Sequence, residues 1–180
     1  MVERPRRDKP EVIKVFCGLI GHEAAVAAAS DLVAQRFGEI DCESATVPFA
    51  FTGYYAEEMG EHLVRKWISF RALRERAYLS LAKHAAVALE RELSKDGRRQ
   101  VNIDPGYVDG AQVVLSTAKN FSHRIYIGSG YYAEVTLVYE HKAFKFLEWT
   151  YPDYRTPEAL GFFDEARSAY LNQVRHHLDK

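Results

Sequence analysis

The pattern of hydrophobic and polar positions divides the first part of the chain into strands and helices. Residues 12–20 are apolar and rich in β-branched types, which is typical of a central strand. The alanine-rich stretch after them predicts a helix that ends at Gly38, a residue suited to a left-handed cap. Residues 40–51 alternate imperfectly and contain Pro48, so we expect a strand that ends or bends at a sheet edge. The apolar positions on one face of the predicted helix are Val26, Ala29, Val33 and Phe37.

The middle of the chain continues this alternation. Residues 51–60 predict a single helical turn, and residues 63–70 predict a second strand. Apolar positions over residues 73–93, among them Leu81, recur at helical spacing, and residues 101–103 return to a strand pattern. The order strand, helix, strand, strand, helix, strand matches a split βαβ unit.

The last third of the chain is richer in strands. Residues 111–118, 123–127 and 131–139 are apolar runs bounded by turn residues. Residues 128–130, Gly-Ser-Gly, suit a three-residue hairpin loop. Such a loop places Ile125 opposite Ala133, Tyr126 opposite Tyr132, and Arg124 opposite Glu134.

A closing helix completes the predicted fold. Thr156 and Pro157 form its start, because a side-chain oxygen at the cap followed by proline is typical of a helix N-terminus. The elements predict an α+β protein with a split βαβ (ferredoxin-like) N-terminal part, an added antiparallel hairpin sheet and a packing C-terminal helix. We expect a single domain over residues 11–180 and a flexible arm over residues 1–10.

Composition is that of an ordinary folded protein. Of the 180 residues, 47% are hydrophobic and 27% are charged, far from the balance of a disordered chain. The formal charge of -1 gives no global attraction to nucleic acid or to an anionic membrane. Cys17 and Cys42 lack redox or zinc-type spacing, which indicates buried thiols in a reducing compartment. Without a signal sequence or a membrane-spanning run, a cytoplasmic protein is expected.

Motifs for several common chemistries are absent from the sequence. The chain has no GxxxxGK[ST] phosphate loop, no GxGxxG after a strand, no HExxH, no GxSxG and no paired zinc-ligand motif. Its histidines are too scattered for their spacing to suggest a metal site, although the fold could gather them, and any cofactor is unknown. The glycines of residues 18–21 lie at a strand-to-helix junction, which can bind an anion but is more often only a turn.

Two polar segments give the strongest signal for a site. In NIDPGY, residues 102–107, Asp104 follows a strand and precedes a proline-glycine turn, which would hold its carboxylate at the sheet rim. If neighbouring strands carry these segments, an acid and several donors face one pocket, as expected for a phosphorylated or carboxylated ligand. The second segment, KNFSHR, supplies Lys119, Ser122, His123 and Arg124.

Structural interpretations of the same residues remain open. Asp-Pro-Gly is a turn formula in which the aspartate caps its own backbone. Arg124 can pair with Glu134 across the hairpin, and Lys119 can be a solvated turn residue. A lone histidine such as His123 is most often a hydrogen-bonded structural group. An ionisable residue in a turn is therefore only a candidate for a functional site.

Aromatic residues gather in two further segments. In WTYPDYR, residues 149–155, Tyr151 could stack on a base or sugar while Arg155 contacts a phosphate. The alternative is that these rings clamp the last helix onto the sheet. The tyrosines of residues 51–60 have the same two interpretations.

Four segments together resemble a prokaryotic family catalogued as a domain of unknown function. They are FTGYYAEEMG, NIDPGY, KNFSHRIYIG followed by YYAEVTL, and WTYPDYR, and the likeness extends from about Val12 to Tyr170. Some members of that family are labelled "GTP-binding protein", whereas this chain has neither a phosphate loop nor an NKxD motif. The family has no established activity, so the resemblance implies an identity and no mechanism.

The leading hypothesis is an uncharacterised cytoplasmic protein that binds, and in one version turns over, a phosphorylated or nucleotide-like small molecule at the sheet rim. Asp104 would be an acid-base or orienting group and His123 a proton-transfer group, while Lys119 and Arg124 would hold the anion. The remaining ligand-binding candidates are Tyr107, Ser122, Glu134, Tyr151, Asp153 and Arg155.

Two alternatives belong to other classes, and whether the protein is an enzyme stays open. The first is a non-catalytic interaction module, such as a homodimer that buries residues 54–55 and 149–154. The second is an RNA-binding protein that uses tyrosines and arginines on the hairpin face. The near-neutral charge disfavours RNA, because phosphate contacts supply most of the affinity for nucleic acid.

Overall fold

A single open sheet organises the fold. Within residues 12–178, which the computed structural model describes, the strands are β1 (Val12–Gly21), β2 (Ile40–Glu43), β3 (Val47–Pro48), β4 (Val64–Glu75), β5 (Val101–Val108), β6 (Gln112–Thr117), β7 (Ile125–Gly128), β8 (Tyr131–Glu140) and β9 (Ala143–Phe146). The helices are α1 (Glu23–Phe37), α2 (Ala56–Met59), α3 (Tyr78–Glu92) and α4 (Pro157–Leu178), with a 3-10 helix over Pro152–Arg155. The strands pair antiparallel in the order β2-β4-β1-β5-β6-β8-β7, while β3 pairs with β4 and β9 with β8.

The two faces of the sheet carry different helices. Successive side chains of a strand point to opposite faces, so each strand contributes to both. On one face, α1 and α3 cover Cys17, Leu19 and Ile68. On the other face, α4 packs Phe163 against Phe16 of β1, with ring centroids 5.0 Å apart. A hydrophobic core therefore lies on each side of the sheet.

Several predictions from the sequence are confirmed. The protein is a mixed α+β fold, and the predicted apolar face of α1 is buried. Gly38 ends that helix with a φ of 115°. In the hairpin of β7 and β8, Ile125 lies opposite Ala133 and Tyr126 opposite Tyr132, as predicted. The predicted three-residue loop was wrong, because Gly128 belongs to β7 and pairs with Tyr131, and a register shift lies between Tyr126 and Gly128.

The C-terminal helix also begins where the sequence predicted. Pro157 is its first residue, and the Thr156 hydroxyl accepts a hydrogen bond from the Ala159 amide at 3.2 Å. The 22 residues of α4 pack on the sheet through a stripe that includes Phe163 and Tyr170. Among the described residues, none of the helices combines the length and apolar character that a membrane span requires.

Some predicted boundaries were wrong. Strand β4 continues to Glu75, so α3 begins at Tyr78, and Leu81 is 63% exposed instead of facing the core. The strand extends because Leu73 pairs with Lys14 of β1, and this tertiary pairing overrides the helical pattern of the segment. Residues 40–51 form the two short strands β2 and β3, and β9 was not predicted.

The Asp-Pro-Gly segment is not a turn, contrary to the prediction. Strand β5 continues through Asp104, Pro105 and Gly106, and each of these residues pairs with β1. Strand β6 pairs with β5 only from Gly106 onward, and the Pro105 carbonyl accepts its hydrogen bond from the Ser116 hydroxyl of β6, at 2.6 Å. A strand tolerates proline at such an unpaired edge, because no ladder hydrogen bond is lost there.

The later strands extend the same sheet, whereas the sequence predicted an added hairpin sheet. Strands β6, β8, β7 and β9 continue the sheet from the β5 side, and each is paired with its neighbour. The specific split βαβ (ferredoxin-like) arrangement stays a prediction. The arm predicted over residues 1–10 lies outside the described residues.

Candidate functional site

A cavity of about 450 Å³ lies between the sheet, α3, residues 49–55 and the 3-10 helix. Its floor is a row of alternate side chains from neighbouring strands. Asp104 lies opposite Gly18 of β1, and Leu115 of β6 lies opposite Glu134 of β8, which places these side chains on one face of the sheet. Arg65 of β4 belongs to the same face.

A local opening of the sheet gives α3 access to the cavity. Strand β5 pairs with β6 only from Gly106 to Val108, so the backbone of Ile103, which lies earlier in β5, has no partner on β6. Two side chains of α3 bind that backbone instead. The Ile103 amide donates to Glu90 Oε1 at 2.6 Å, and its carbonyl accepts from Lys83 Nζ at 3.2 Å. Lys83 and Glu90 are two turns apart on one helix face, so both reach the same strand.

Asp104 lies inside this opening as an ion-paired carboxylate. Lys83 Nζ is 3.0 Å from its Oδ1, and the Asn102 amide donates to its Oδ2 at 2.6 Å. Burial alone would raise the pKa of Asp104, but Lys83, Arg65 and the two hydrogen bonds outweigh burial and lower the pKa below its usual value. Asp104 is therefore ionised at neutral pH and suited to orienting a ligand more than to giving up a proton.

Arg65 is the most buried cation of the cavity. Its side chain is 2% exposed, and the guanidinium carbon lies 4.7 Å from the ring centroid of Trp67 and 5.0 Å from that of Tyr154. Gly18 leaves room for it, because a Cβ at that position would lie 2.7 Å from Arg65 Nη2. Burial opposes the charge of Arg65, but nearby Tyr154 and the carboxylates of Asp153 and Asp104 raise its pKa above the usual value.

The hydrogen-bonding groups of Arg65 are not all used. Nε is 3.2 Å from Asp153 Oδ2, an ion-pair distance without the alignment of a hydrogen bond. Among residues 12–178, neither Nε nor Nη1 of Arg65 has a hydrogen-bond acceptor, and the buried Tyr154 hydroxyl has no partner either. Buried donors in this condition are uncommon, and the ring faces of Trp67 and Tyr154 are the groups that contact this guanidinium.

Two more cations border the cavity. Arg99 donates to Asn102 Oδ1 at 2.9 Å and to Glu58 Oε2 at 2.7 Å. Lys119 donates to the Tyr54 hydroxyl at 2.9 Å and lies 4.1 Å from the centroid of that ring. Lys119 therefore supplies a positive charge at the rim without a carboxylate partner among the described residues.

Aromatic rings form much of the wall. Tyr54 and Tyr55 pack edge to face with centroids 5.0 Å apart, and Tyr151 also lines the cavity. Burial raises the pKa of Tyr55 and Tyr151, so both hydroxyls stay protonated at neutral pH. Such rings offer flat apolar surface with polar tips. The aromatic lining residues are Phe49, Phe51, Tyr54, Tyr55, Tyr151 and Tyr154.

An ion-pair cluster joins the hairpin to the cavity rim. Arg124 Nε donates to Glu134 Oε2 at 2.7 Å, and Arg124 Nη2 donates to the Tyr151 hydroxyl at 2.9 Å. His123 Nε2 lies 2.9 Å from the same Glu134 oxygen, and its ring stacks on Trp149 with centroids 4.7 Å apart. The cross-strand pairing of Arg124 and Glu134 that the hairpin predicted is therefore present.

The cavity contains some of the residues that the sequence singled out. Those that line it come from four separate segments or strands and are Asp104, Lys119, Glu134, Tyr151 and Asp153. Arg124 contacts three of them, Lys119, Glu134 and Tyr151, from outside. Ser122 and His123 line a neighbouring shallow pocket with Trp149 instead. The two proposed proton-transfer groups, Asp104 and His123, are thus not both in the cavity, because stacking on Trp149 and the bond to Glu134 hold His123 outside.

Two predicted ligand-binding residues lie elsewhere. Tyr107 is opposite Val15 on the face that α1 and α3 cover, where its hydroxyl accepts hydrogen bonds from Arg76 and Gln112. Arg155 donates to three backbone carbonyls of the preceding loop, at Leu147, Glu148 and Thr150, and so holds that loop. Neither residue lines the cavity.

Sequence reasoning missed three cations of the site, Arg65, Lys83 and Arg99. A signal existed for two of them. Lys83 falls within the apolar stripe of α3 between the buried residues Ala82 and Ala86, and a charge in such a stripe needs a partner. Arg65 shares a strand face with Trp67, which indicates a buried guanidinium.

Among the described residues, no group of three or more His, Cys, Asp or Glu side chains has an arrangement that could hold a metal ion.

Comparison with known proteins identifies the family to which the chain belongs. No curated protein and no solved structure matches the chain significantly. The family model described as "Domain of unknown function (DUF4416)" matches residues 11–170. Because this match covers most of the chain, the protein belongs to the DUF4416 family.

Proposed function

We propose that the protein binds a phosphorylated or nucleotide-like small molecule in the cavity. The observation that carries this proposal is the buried guanidinium of Arg65, whose Nε and Nη1 have no hydrogen-bond acceptor among the described residues. Because this guanidinium lines the cavity, its charge is stabilised by an anionic group that enters there. The volume of about 450 Å³ is within the range of small-molecule sites.

The other lining residues fit the two parts of such a ligand. Tyr54, Tyr55 and Tyr151 offer surface for a planar group, and Lys119 adds a second cation at the rim. Asp104, held ionised by Lys83, accepts hydrogen bonds from ligand N–H or O–H groups. In this proposal His123 and Arg124 act indirectly, because both position Glu134 at the rim.

A thermal-shift screen tests the proposal. Nucleotides and sugar phosphates are compared for the rise in melting temperature, since a ligand that binds only the native state stabilises it. The best compound is then titrated into Lys119→Ala and into Lys145→Ala, which removes an exposed lysine of β9 outside the cavity. We expect the shift to shrink in Lys119→Ala alone. If no compound raises the melting temperature, the proposal is wrong.

We further propose that residues 11–180 form one domain and that the protein works in a reducing compartment such as the cytoplasm. Support for one domain comes from the unbroken strand pairing over the described residues. Support for a reducing compartment comes from Cys17 and Cys42, which are both free and buried. Thermal unfolding with and without a thiol reductant checks the second point. We expect the melting temperature to fall when the cysteines are oxidised.

A second candidate function is self-association through exposed aromatic residues. Tyr54 is 59% exposed, Tyr151 42% and Trp149 39%, and exposed tyrosine and tryptophan are enriched at interfaces. Size-exclusion chromatography with light scattering tests this candidate. A monomer at all concentrations would rule it out and leave ligand binding unaffected.

A further inference from the structure

We infer that the ligand carries an uncharged 2-amino-oxo ring, such as guanine or a pterin, whose two adjacent N–H groups donate to the Asp104 carboxylate. This inference rests on the proposed function and narrows it to ligands with that edge. Three features of the cavity support it: an accessible carboxylate with free acceptor positions, neighbouring cations that disfavour a positively charged ring, and flat aromatic walls.

A ligand in the cavity can reach the carboxylate of Asp104. Its side chain is 28% exposed, whereas that of its partner Lys83 is 7% exposed, and both residues line the cavity. Among the described residues, Oδ1 accepts one hydrogen bond from Lys83, and Oδ2 accepts one from Asn102. A carboxylate oxygen has two lone pairs, so each oxygen can accept a further bond. Asp104 therefore offers two acceptor positions side by side.

A chain of hydrogen bonds fixes the direction of this carboxylate. Arg99 donates to Asn102 Oδ1 at 2.9 Å, and the Asn102 amide donates in turn to Asp104 Oδ2 at 2.6 Å. Arg99 is itself held by Glu58 Oε2 at 2.7 Å. Because Lys83 holds Oδ1 at 3.0 Å, both oxygens are in position before a ligand arrives. Acceptors that are preorganised as a pair favour a planar partner with two parallel donors.

Nearby cations decide between a charged and an uncharged donor. Burial would raise the pKa of Asp104, but the charges of Lys83 and Arg65 lower it below its usual value, so both cations act on the carboxylate. A protonated amine or amidine bound to Asp104 would be repelled by the same two cations. An uncharged ring avoids this repulsion and still donates to an ionised acceptor.

The arrangement of donors separates the common rings. An ionised carboxylate only accepts, so the ring edge that meets it needs N–H groups and no lone pair. Guanine and pterins carry two such donors in a row, the 2-amino group and the neighbouring ring N–H. Adenine offers one amino group beside a ring nitrogen that is an acceptor, and hypoxanthine lacks the amino group. Tyr54 and Tyr55, which also line the cavity, offer ring faces on which such a heterocycle can stack.

Calorimetric titration of the full chain with ligands that differ at this edge tests the inference. The probes are the 5′-monophosphates of guanosine, inosine and adenosine, together with neopterin, which carries the same edge as guanine on a pteridine. We expect guanosine 5′-monophosphate or neopterin to bind at least about tenfold more tightly than the other two nucleotides, because those lose a hydrogen bond to a charged acceptor. The tighter of these two ligands assigns the ring system.

Two variants show whether Asp104 is the acceptor. Asp104→Asn replaces one acceptor oxygen by an N–H donor and should abolish the preference over inosine 5′-monophosphate. Asp104→Glu keeps a carboxylate for Lys83, so the fold should be preserved, but it displaces both acceptors by one methylene and should abolish the preference as well. If Asp104→Asn does not fold, Asp104→Glu decides. Asp164→Asn changes an exposed carboxylate of α4 outside the cavity and, as the matched control, should retain the preference.

The opposite results separate this inference from the proposed function. If all four probes bind equally, or if Asp104→Glu keeps the wild-type preference, Asp104 does not bind the ring edge, while ligand binding in the cavity stands. If none of the probes binds but a sugar phosphate raises the melting temperature, the inference is wrong and the proposed function again stands. If the probes and the sugar phosphates all fail, both are wrong.

Discussion

At the scale of single residues, Gly18 determines whether Arg65 can occupy its buried position. The glycine leaves space for Arg65 Nη2 and for the Tyr154 hydroxyl, which would lie 2.7 and 3.0 Å from a Cβ. Because Arg65 lies between two aromatic rings, it cannot simply turn away. The sequence alone placed Gly18 in a possible turn, whereas its role is to let a cation approach the strand.

We predict that Gly18→Ala destabilises the protein by about 1 to 3 kcal/mol, the usual cost of inserting a group into a packed region. The same change should weaken binding of any ligand held by Arg65. Gly161→Ala is the control, because nothing lies within 4 Å of a Cβ there and alanine in helix α4 should stabilise by about 0.5 to 1 kcal/mol. Urea unfolding measures both, and equal stability of Gly18→Ala and the wild type would contradict the prediction.

Asp104 gives a prediction about pH. Its folded-state pKa is lowered, so its ionised form stabilises the protein above the unfolded-state pKa, which is about 3.9. This stabilisation is lost as the pH falls through the lower folded-state pKa. Asp104→Asn leaves the buried Lys83 without its carboxylate and should cost roughly 3 kcal/mol at pH 7.

Unfolding free energies from pH 7 down to about pH 2 check this prediction. The difference between the wild type and Asp104→Asn should shrink below about pH 4. Asp164→Asn, which changes an exposed carboxylate of α4, should show no comparable difference. A cost for Asp104→Asn that stays constant with pH would show that the charge of Asp104 does not stabilise the fold.

At the scale of elements, the opening between β5 and β6 connects α3 to the cavity. Glu90 and Lys83 bind the Ile103 backbone that β6 leaves unpaired. We predict that Glu90→Leu costs about 1 to 3 kcal/mol, because the Ile103 amide then has no acceptor. Hydrogen exchange at Ile103 should become faster in Glu90→Leu, whereas Glu90→Gln keeps an acceptor oxygen and should retain most of the protection. Unchanged exchange in Glu90→Leu would contradict this role.

The elements with local signals were the ones that the sequence predicted well. The apolar stripe of α1, the tight turn between β7 and β8, and the Thr156 cap of α4 each depend on residues close in sequence. The Asp-Pro-Gly segment and the end of β4 were predicted wrongly, because pairing with β1 overrides their local preferences. A local sequence pattern carries no information about which strand the segment will pair with.

The candidate site shows the same limit. Polar residues in turns, such as Lys119, were recognised because a turn favours exposed polar groups. Arg65 and Lys83 were missed because they lie in a strand and a helix that otherwise read as core. Only the strand register brings Arg65 and Asp104 to one face of the sheet.

At the scale of the whole molecule, one face of the sheet is covered by helices, and the other face is shared between a helix and the cavity. Helices α1 and α3 cover the first face. On the second, α4 covers one part and the cavity occupies another, next to the 3-10 helix that leads into α4. Tyr154 belongs to both, since its ring stacks on Phe163 and the residue also lines the cavity. The same fold that buries the core therefore positions the donors.

The central claim is that Arg65 binds the anionic group of a ligand, and side-chain NMR tests it most directly. In protein with ¹⁵N-labelled arginine, titration with phenyl phosphate or adenosine 5′-monophosphate should shift the Arg65 Nε resonance. Arg167 Nε, which already donates to the Gly110 carbonyl at 2.9 Å, should remain in place. Saturation of binding by calorimetry with an unmoved Arg65 resonance would contradict the claim.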